Sequence, residues 1–341
     1  MNLQPKQRLQ YFDALKAFTI FLVLWGHCIQ YLLHSDSDST IFRLIYTFHM
    51  PLFMMMSGYF SFSAIKRGFW ESIITRARML LLPVATLSFI LAALYMFFRS
   101  ENLIYKFFYL FGGTLWFLKT AFSCFLLTRL CFLCGRYKYV AIIVTLIVSQ
   151  TDIIYMHRFF YGFTSINIMY PCFLIGLLIR NYWEYFISHC KQILYISFIT
   201  FFVMLILFSR DSPLSTINML NIELEGFTSR FYSRFYELVT GFSGSIFFIS
   251  LFSKLFNRKI ENKMYDTVCY WGQNTLGIYI LQFVYLEMLI NGLVYFDNTN
   301  YFVFNFIIVP LVSLAVLLLC IVTINIVKKN KYSALLLLGE K

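Results

Sequence analysis

Two histidines stand inside apolar stretches of this chain, and they are the first residues that could do chemistry. One stretch begins Tyr11-Phe12-Asp13-Ala14-Leu15-Lys16 and reaches Gly26-His27. Lys16 and His27 are eleven positions apart, almost three full helical turns, so in a helix they share a face. Asp13 lies about 40° from that stripe by the same geometry. It precedes Lys16 by three residues, so the two can pair. The rise from Lys16 to His27 is roughly 16 Å, which carries His27 past a bilayer midplane. The second histidine lies in Phe48-His49-Met50-Pro51-Leu52-Phe53, with Ser57-Gly58-Tyr59 beyond it. His27 falls roughly 9 Å, and His49 roughly 12 Å, below the outer end of its own helix. Two imidazoles at similar depth suit proton transfer, because histidine titrates near neutrality. Pro51 frees a backbone carbonyl in its turn, which is tolerated where a helix lines a cavity. A plainer reading stands beside each. His27 is then a packed imidazole bonded to a neighbouring helix, with Asp13 and Lys16 as a charged helix start. His49 is then a capping or structural group at the proline kink.

These residues need a scaffold, and composition says which kind. The 341 residues are 60% hydrophobic and 21% aromatic, and 13% are charged. Soluble domains average about 45–50% apolar and about 25% charged. That contrast excludes an ordinary soluble globule, and the hydrophobicity excludes disorder. Helix-length apolar runs lie near 12–33, 42–62, 79–98, 115–134, 139–157, 164–180, 191–208, 236–256, 268–290 and 301–327. The expectation is an all-α polytopic membrane protein of about ten spans, each of about 20 residues. The first run has no small-residue cleavage site close behind it and reads as an uncleaved helix. Residues 103–111 are apolar but short and precede Gly112-Gly113, as an interfacial or re-entrant segment would. With both termini in the cytoplasm, most of the 28 Lys and Arg residues fall on the inner side. The net charge of +12 is then topological, and no nucleic acid partner is expected. The longest outer loop, about 209–235, carries Arg and Glu that read as solvated charge or as contacts to a polar ligand.

The eight cysteines mostly lie in apolar runs, where Cys behaves as a small hydrophobe. Cys131 and Cys134 form a lone CxxC with no second pair or nearby histidine, so no metal site is expected. Lys119 lies one turn below Trp116, where it lines a path through the bundle or snorkels outward. Asn274, Tyr279 and Gln282 put polar groups into a late helix, for a cavity wall or for interhelical hydrogen bonds. Asp152 and Glu287 fall near outer helix ends.

Taken in order, these segments resemble the acyltransferase 3 family of integral-membrane acyltransferases. Asp13, Lys16 and His27 stand in the arrangement of that family's first helix, and Phe48 to Tyr59 is similar to its second. Arg76-Ala77-Arg78 leading to Leu81-Leu82-Pro83 resembles its basic inner loop, and Leu115-Trp116-Phe117-Leu118 a further motif. Gly272-Gln273-Asn274-Thr275-Leu276-Gly277-Ile278-Tyr279 is similar to its late segment. The resemblance covers residues 11 to 282. There are departures. Lys16 replaces the more usual Arg and loses bidentate geometry. The arginine pair is spaced Arg-x-Arg, Thr114 precedes the Trp where a His is frequent, and Gln282 stands where a His often follows the Tyr.

The resemblance implies acyl transfer, often of acetyl, from cytoplasmic acyl-CoA to a hydroxyl of a cell-surface or lipid-linked glycan. His27 would be the general base or a transient acyl carrier, with His49, Asp13 and Lys16 beside it. Arg76 and Arg78, read as opening the third helix, would meet the CoA phosphates, although positive-inside charge alone would also place them there. Trp116, Lys119, Asn274, Tyr279 and Gln282 would line the substrate path. The expected partners are the glycan acceptor and membrane lipid, and assembly into an oligomer is compatible with the sequence. One domain over 1–341, without a fused soluble domain, and a bacterial inner membrane complete the expectation. Two rivals are a non-enzymatic transporter of a sugar or small anion, which would show paired repeats, and a glycan polymerase or ligase using a lipid-linked sugar.

Overall fold

Apolar runs at helical spacing do become helices in the computed structural model, which describes residues 10–33, 39–150, 165–206, 227–256, 262–286, 296 and 299–340. In chain order these are α1 (Gln10–Leu32), α2 (Thr40–Ile65), α3 (Phe69–Arg99), α4 (Leu103–Gly113), α5 (Trp116–Leu133), α6 (Lys138–Ser149), α7 (Ile166–Asn181) and α8 (Trp183–Ser188). There follow α9 (Cys190–Ile206), α10 (Phe227–Leu255), α11 (Lys263–Gln273), α12 (Thr275–Tyr285), α13 (Tyr301–Val303), α14 (Val309–Val327) and α15 (Lys331–Leu338). A π-helical turn, Phe304–Ile308, joins α13 to α14. Among the described residues there is no strand.

Five of the described helices are long and apolar enough to cross a membrane: Gln10–Leu32, Phe69–Arg99, Trp116–Leu133, Phe235–Leu255 and Tyr301–Val327. Leu103–Gly113, Ile166–Asn181, Cys190–Ile206 and Thr275–Tyr285 are apolar but shorter. Large side chains are exposed at helical spacing, such as Ile196, Ile199 and Val203 on α9 and Val140, Ile143 and Ile147 on α6. Water would penalise such stripes, whereas lipid tails accept them.

Three boundaries differ from the sequence expectation. First, α3 begins at Phe69, about ten residues before the apolar run, because helix-competent polar residues extend it back to Gly68. Arg76 and Arg78 therefore lie in the body of α3 and not at its N-terminus. Second, the run 268–290 is broken between α11 and α12. Asn274 turns its side-chain Nδ2 back to the Tyr270 carbonyl at 2.8 Å, a local bond that competes with the helix ladder. Third, α10 starts at Phe227, inside the stretch expected as loop. Asp152, Glu287 and the rest of the expected 209–235 loop, residues 209–226, lie outside the described residues.

The chain divides into two compact units, Met1–Phe53 with Trp183–Val322, and Met54–Tyr182 with Thr323–Lys341. In the first, α1 is packed by α10, α11 and α12, and α9 lies on α10. The closest approach is backbone to backbone: a Cβ on Gly272 would overlap the Asp13 carbonyl. Phe48 stacks on Phe248 at 4.7 Å between centroids, and Phe18 joins them at 5.1 Å. Gly241 of α10 leaves room for the ring of Pro51, so α2 runs helically through its proline. In the second unit, α3 carries α4, α5 and α15, and α5 meets α6 and α7. There α2 and α7 cross on paired glycines. Gly58 abuts the Phe173 backbone, and Gly176 abuts that of Met55. Small residues at such crossings let membrane helices approach closely.

Candidate active site

The first unit assembles two of the expected histidines and one expected amide. Gly26 lets Tyr46 of α2 lie flat on α1, since a Cβ there would press on the Tyr46 ring. The Tyr46 hydroxyl also donates to Gln30 of α1 at 3.0 Å. That contact makes α1 and α2 neighbours at the depth of His27 and His49. His49 is 2% exposed, and its ring lies 4.6 Å from that of Tyr46. His49 Nδ1 lies 2.7 Å from the Ile45 carbonyl. A carbonyl only accepts, so Nδ1 carries the proton and Nε2 of the neutral ring keeps its lone pair. His49 interacts electrostatically with His27. The side-chain amide of Gln282 on α12 lies beside the His27 imidazole. Gln282 is 1% exposed. Beside them the Cys28 thiol lies near Ser313 of α14, whose hydroxyl donates to the Val309 carbonyl.

One helical segment below, Asp13 and Lys16 form the expected pair. Lys16 Nζ stands 3.7 Å from Asp13 Oδ1, and Asp13 is buried in the first turn of α1. A carboxylate there is favoured by the helix dipole. Gln273 of α11 donates its Nε2 toward Asp13 Oδ2 at 3.5 Å. Asn274 and Tyr279 are also buried in this unit.

The second unit holds the other expected residues. Arg76 donates to the Phe60 carbonyl at 3.3 Å and stands over the Phe125 ring. Arg67 is near enough to repel it. Arg180 donates to the Tyr59 hydroxyl at 3.1 Å, and Arg129 to the Arg67 carbonyl at 2.9 Å. Each of these guanidinium contacts is to a neutral group. Arg78 follows where its backbone is packed by Gly339, the left-handed C-cap of α15. Lys119, 8% exposed, turns its ammonium to the carbonyls of Phe111 and Gly112 at the end of α4. It thus caps a helix C-terminus, where a cation is favoured. Trp116 opens α5 directly after Leu115, whose φ of 48° makes the turn. Cys131 lies 3.4 Å from the Thr145 hydroxyl, and among the described residues no His, Cys, Asp and Glu group could hold a metal ion.

A family model described as an acyltransferase domain matches residues 9–325. The chain belongs to this acyltransferase family. Among curated proteins, it is 40% identical over 129 residues to nodulation protein NolL of Mesorhizobium japonicum, covering 35% of this chain and 34% of that one. It is 32% identical over 178 residues to nodulation protein NolL of Sinorhizobium fredii, covering 47% and 48%. The matches thus span a third to a half of these relatives. No solved structure matches.

Family membership makes the imidazole pair of this acyltransferase a candidate for the proton transfers of acyl exchange. Gln282 was legible in sequence as a polar residue in an apolar helix, but its link to His27 was not. Arg129, Arg180 and Tyr59 were missed as a group. The signal for them was present: each is an arginine in or beside an apolar run, Arg180 in the last turn of α7 and Arg129 about one turn before the end of α5. Tyr59 is a phenol whose burial requires a partner.

Proposed function

We propose that this acyltransferase moves an acyl group, acetyl foremost, from cytoplasmic acyl-CoA to a hydroxyl of a cell-surface or lipid-linked glycan at a bacterial inner membrane. The reading rests on one observation above all: in a member of an acyltransferase family, His27 sits with His49 and Gln282 inside apolar helices. In the direct route the acceptor hydroxyl adds to the thioester carbonyl carbon, and its proton passes to His27. The tetrahedral oxyanion then collapses, the C–S bond breaks, and the departing thiolate takes the proton from the imidazolium. The products are an ester and free CoA. In the acyl-carrier route, the same His27 nitrogen attacks the thioester carbonyl first, the C–S bond breaks and the departing CoA thiolate takes the imidazole proton; the acceptor hydroxyl then displaces the acyl group from the nitrogen, its own proton returning to the imidazole. His49 serves as a second proton acceptor through Nε2.

Asp13 and Lys16 order the inner end of α1. Arg76 and Arg78 bind the CoA phosphates, for which charge-assisted bonds are the strong contacts. Arg76 is suited to this because its present partner is a neutral carbonyl. Trp116 and Lys119 hold the turn between α4 and α5 and serve the substrate path within their own unit, and Asn274 and Tyr279 serve it within theirs. The chain forms one catalytic domain with about ten spans and cytoplasmic termini.

The test is the ester content of the source strain's surface glycans, read by mass spectrometry. Deletion should remove an acyl ester, wild type should restore it, and His27→Ala at matched membrane abundance should not. Restoration by His27→Ala would make His27 structural. No ester change on deletion would refute acyl transfer to a glycan.

A further inference from the structure

We propose that Arg129 of α5, together with Arg76 of α3 and Arg67 of the turn between α2 and α3, cradles the ribose phosphomonoester of the CoA donor, so that this chain tells CoA from its dephosphorylated form. The inference deepens the acyl-transfer reading above and rests on it. It adds two arginines to the one already assigned to the donor.

The starting observation is a cluster of positive charge with nothing negative in it. Arg129 donates from Nη2 to the Arg67 carbonyl at 2.9 Å. Its guanidinium carbon lies 5.4 Å from the centre of the Phe69 ring. Arg76 stands over Phe125 at 5.4 Å from the ring centre, with Nη2 on the Phe60 carbonyl. Phe125 and Arg129 are four apart on α5 and share a face, so Arg76 and Arg129 meet that face one turn apart. Arg67 is exposed and near enough to Arg76 to repel it. Glu71, the acidic residue in the first turn of α3, is exposed and compensates none of them. Among the described residues no ion pair includes Arg67, Arg76 or Arg129.

Arg129 also carries a group that the protein leaves unsatisfied. Its Nε is buried with no partner. Native proteins pair nearly all buried donors, and each exception calls for a reason. A guanidinium has five N–H groups in a planar fork that matches phosphate, and the Arg67 carbonyl takes one of them. The residue is half-buried, so an anion can reach it. Like charges gathered in a partly desolvated place are costly, and an anion bound among them removes that cost.

Charge density selects the anion. CoA carries phosphate in two forms. Its diphosphate spreads negative charge over two phosphorus atoms. Its ribose phosphomonoester holds about 1.5–2 negative charges on one phosphorus at pH 7. Three guanidinium groups gathered where α5 meets the α2–α3 turn suit the concentrated charge, and each bond to it is charge-assisted.

The experiment is isothermal titration of the full chain, purified in detergent, with CoA and with 3′-dephospho-CoA. The two probes differ by the phosphomonoester alone. Wild type should bind CoA about 10- to 100-fold more tightly, the range for a charge-assisted hydrogen bond. Arg129→Gln should weaken CoA by that factor and leave dephospho-CoA unchanged. Arg129→Lys keeps the charge without the planar fork and should fall between. Equal affinity of wild type for the two probes, or equal weakening of both in Arg129→Gln, would overturn the proposal. If Arg129→Gln does not accumulate, Arg67→Gln in the exposed turn decides: it should narrow the gap between the probes, and an unchanged gap overturns the cradle. CoA release from acetyl-CoA is measured alongside in inverted vesicles of the source strain, less that of the deletion strain. No release by wild type defeats the acyl-transfer reading itself. Release without discrimination between the probes defeats only the cradle.

Discussion

Gly272→Ala should damage this protein more than a single methyl suggests. Gly272 lies where α11 crosses α1, and a Cβ there would overlap the Asp13 carbonyl oxygen, with the carbonyl carbon and Cα of Asp13 just behind it. All three atoms are backbone, so no side chain can swing away. Real Cβ atoms essentially never approach within 3.0 Å, so the helices must part by on the order of 1 Å. Overpacking of this kind costs about 1–3 kcal/mol. The displaced residue is Asp13, which holds Lys16 at 3.7 Å and receives Gln273 at 3.5 Å, and α1 continues from it to His27. A misplacement of about 1 Å in a working site can lower turnover about 10²-fold. The assay pairs the Tm of the detergent-purified protein with CoA release from acetyl-CoA in inverted vesicles. Gly113→Ala is the control, because a Cβ there meets nothing within 4 Å. Gly272→Ala is expected to lose both Tm and turnover, and Gly113→Ala neither. Equal behaviour of the two would refute the claim that this crossing is set by backbone contact.

Two further substitutions separate structural from binding roles. Lys119→Met strips the cap from the Phe111 and Gly112 carbonyls, so it should cost about 1–3 kcal/mol and lower Tm, with Lys119→Arg recovering part of it. An unchanged Tm would show that the α4 terminus does not need the ammonium. Arg76→Gln should raise the KM for acetyl-CoA roughly 10- to 100-fold and spare kcat, the loss expected for a charge-assisted hydrogen bond. A KM equal to wild type would leave Arg76 as inner-face charge only.

Sequence periodicity determined what kind of molecule this is. Long apolar runs have one economical solution, the helix, because it satisfies its own backbone in lipid. The eleven-residue spacing of Lys16 and His27, and the three-residue spacing of Asp13 and Lys16, follow from helix geometry alone, so the ion pair was legible. Boundaries were less so. Apolarity marks where a helix meets lipid, whereas α3 begins earlier, in residues with no apolar signature, and this moved Arg76 and Arg78 away from a helix terminus. The break at Asn274 was hidden because one side-chain hydrogen bond decided it. Partners across helices were beyond any single-chain pattern. Lys119 reads equally well as a path residue or a snorkelling one until α4 ends within reach of its ammonium. Gln282 and His27 are separated by most of the chain, and only the packing of α12 on α1 brings amide to imidazole. Helical periodicity is local and is written in the order of residues. Which polar groups meet inside the bundle depends on which helices pack together, and that is settled by contacts such as Gly272 on Asp13, where a missing side chain admits a backbone.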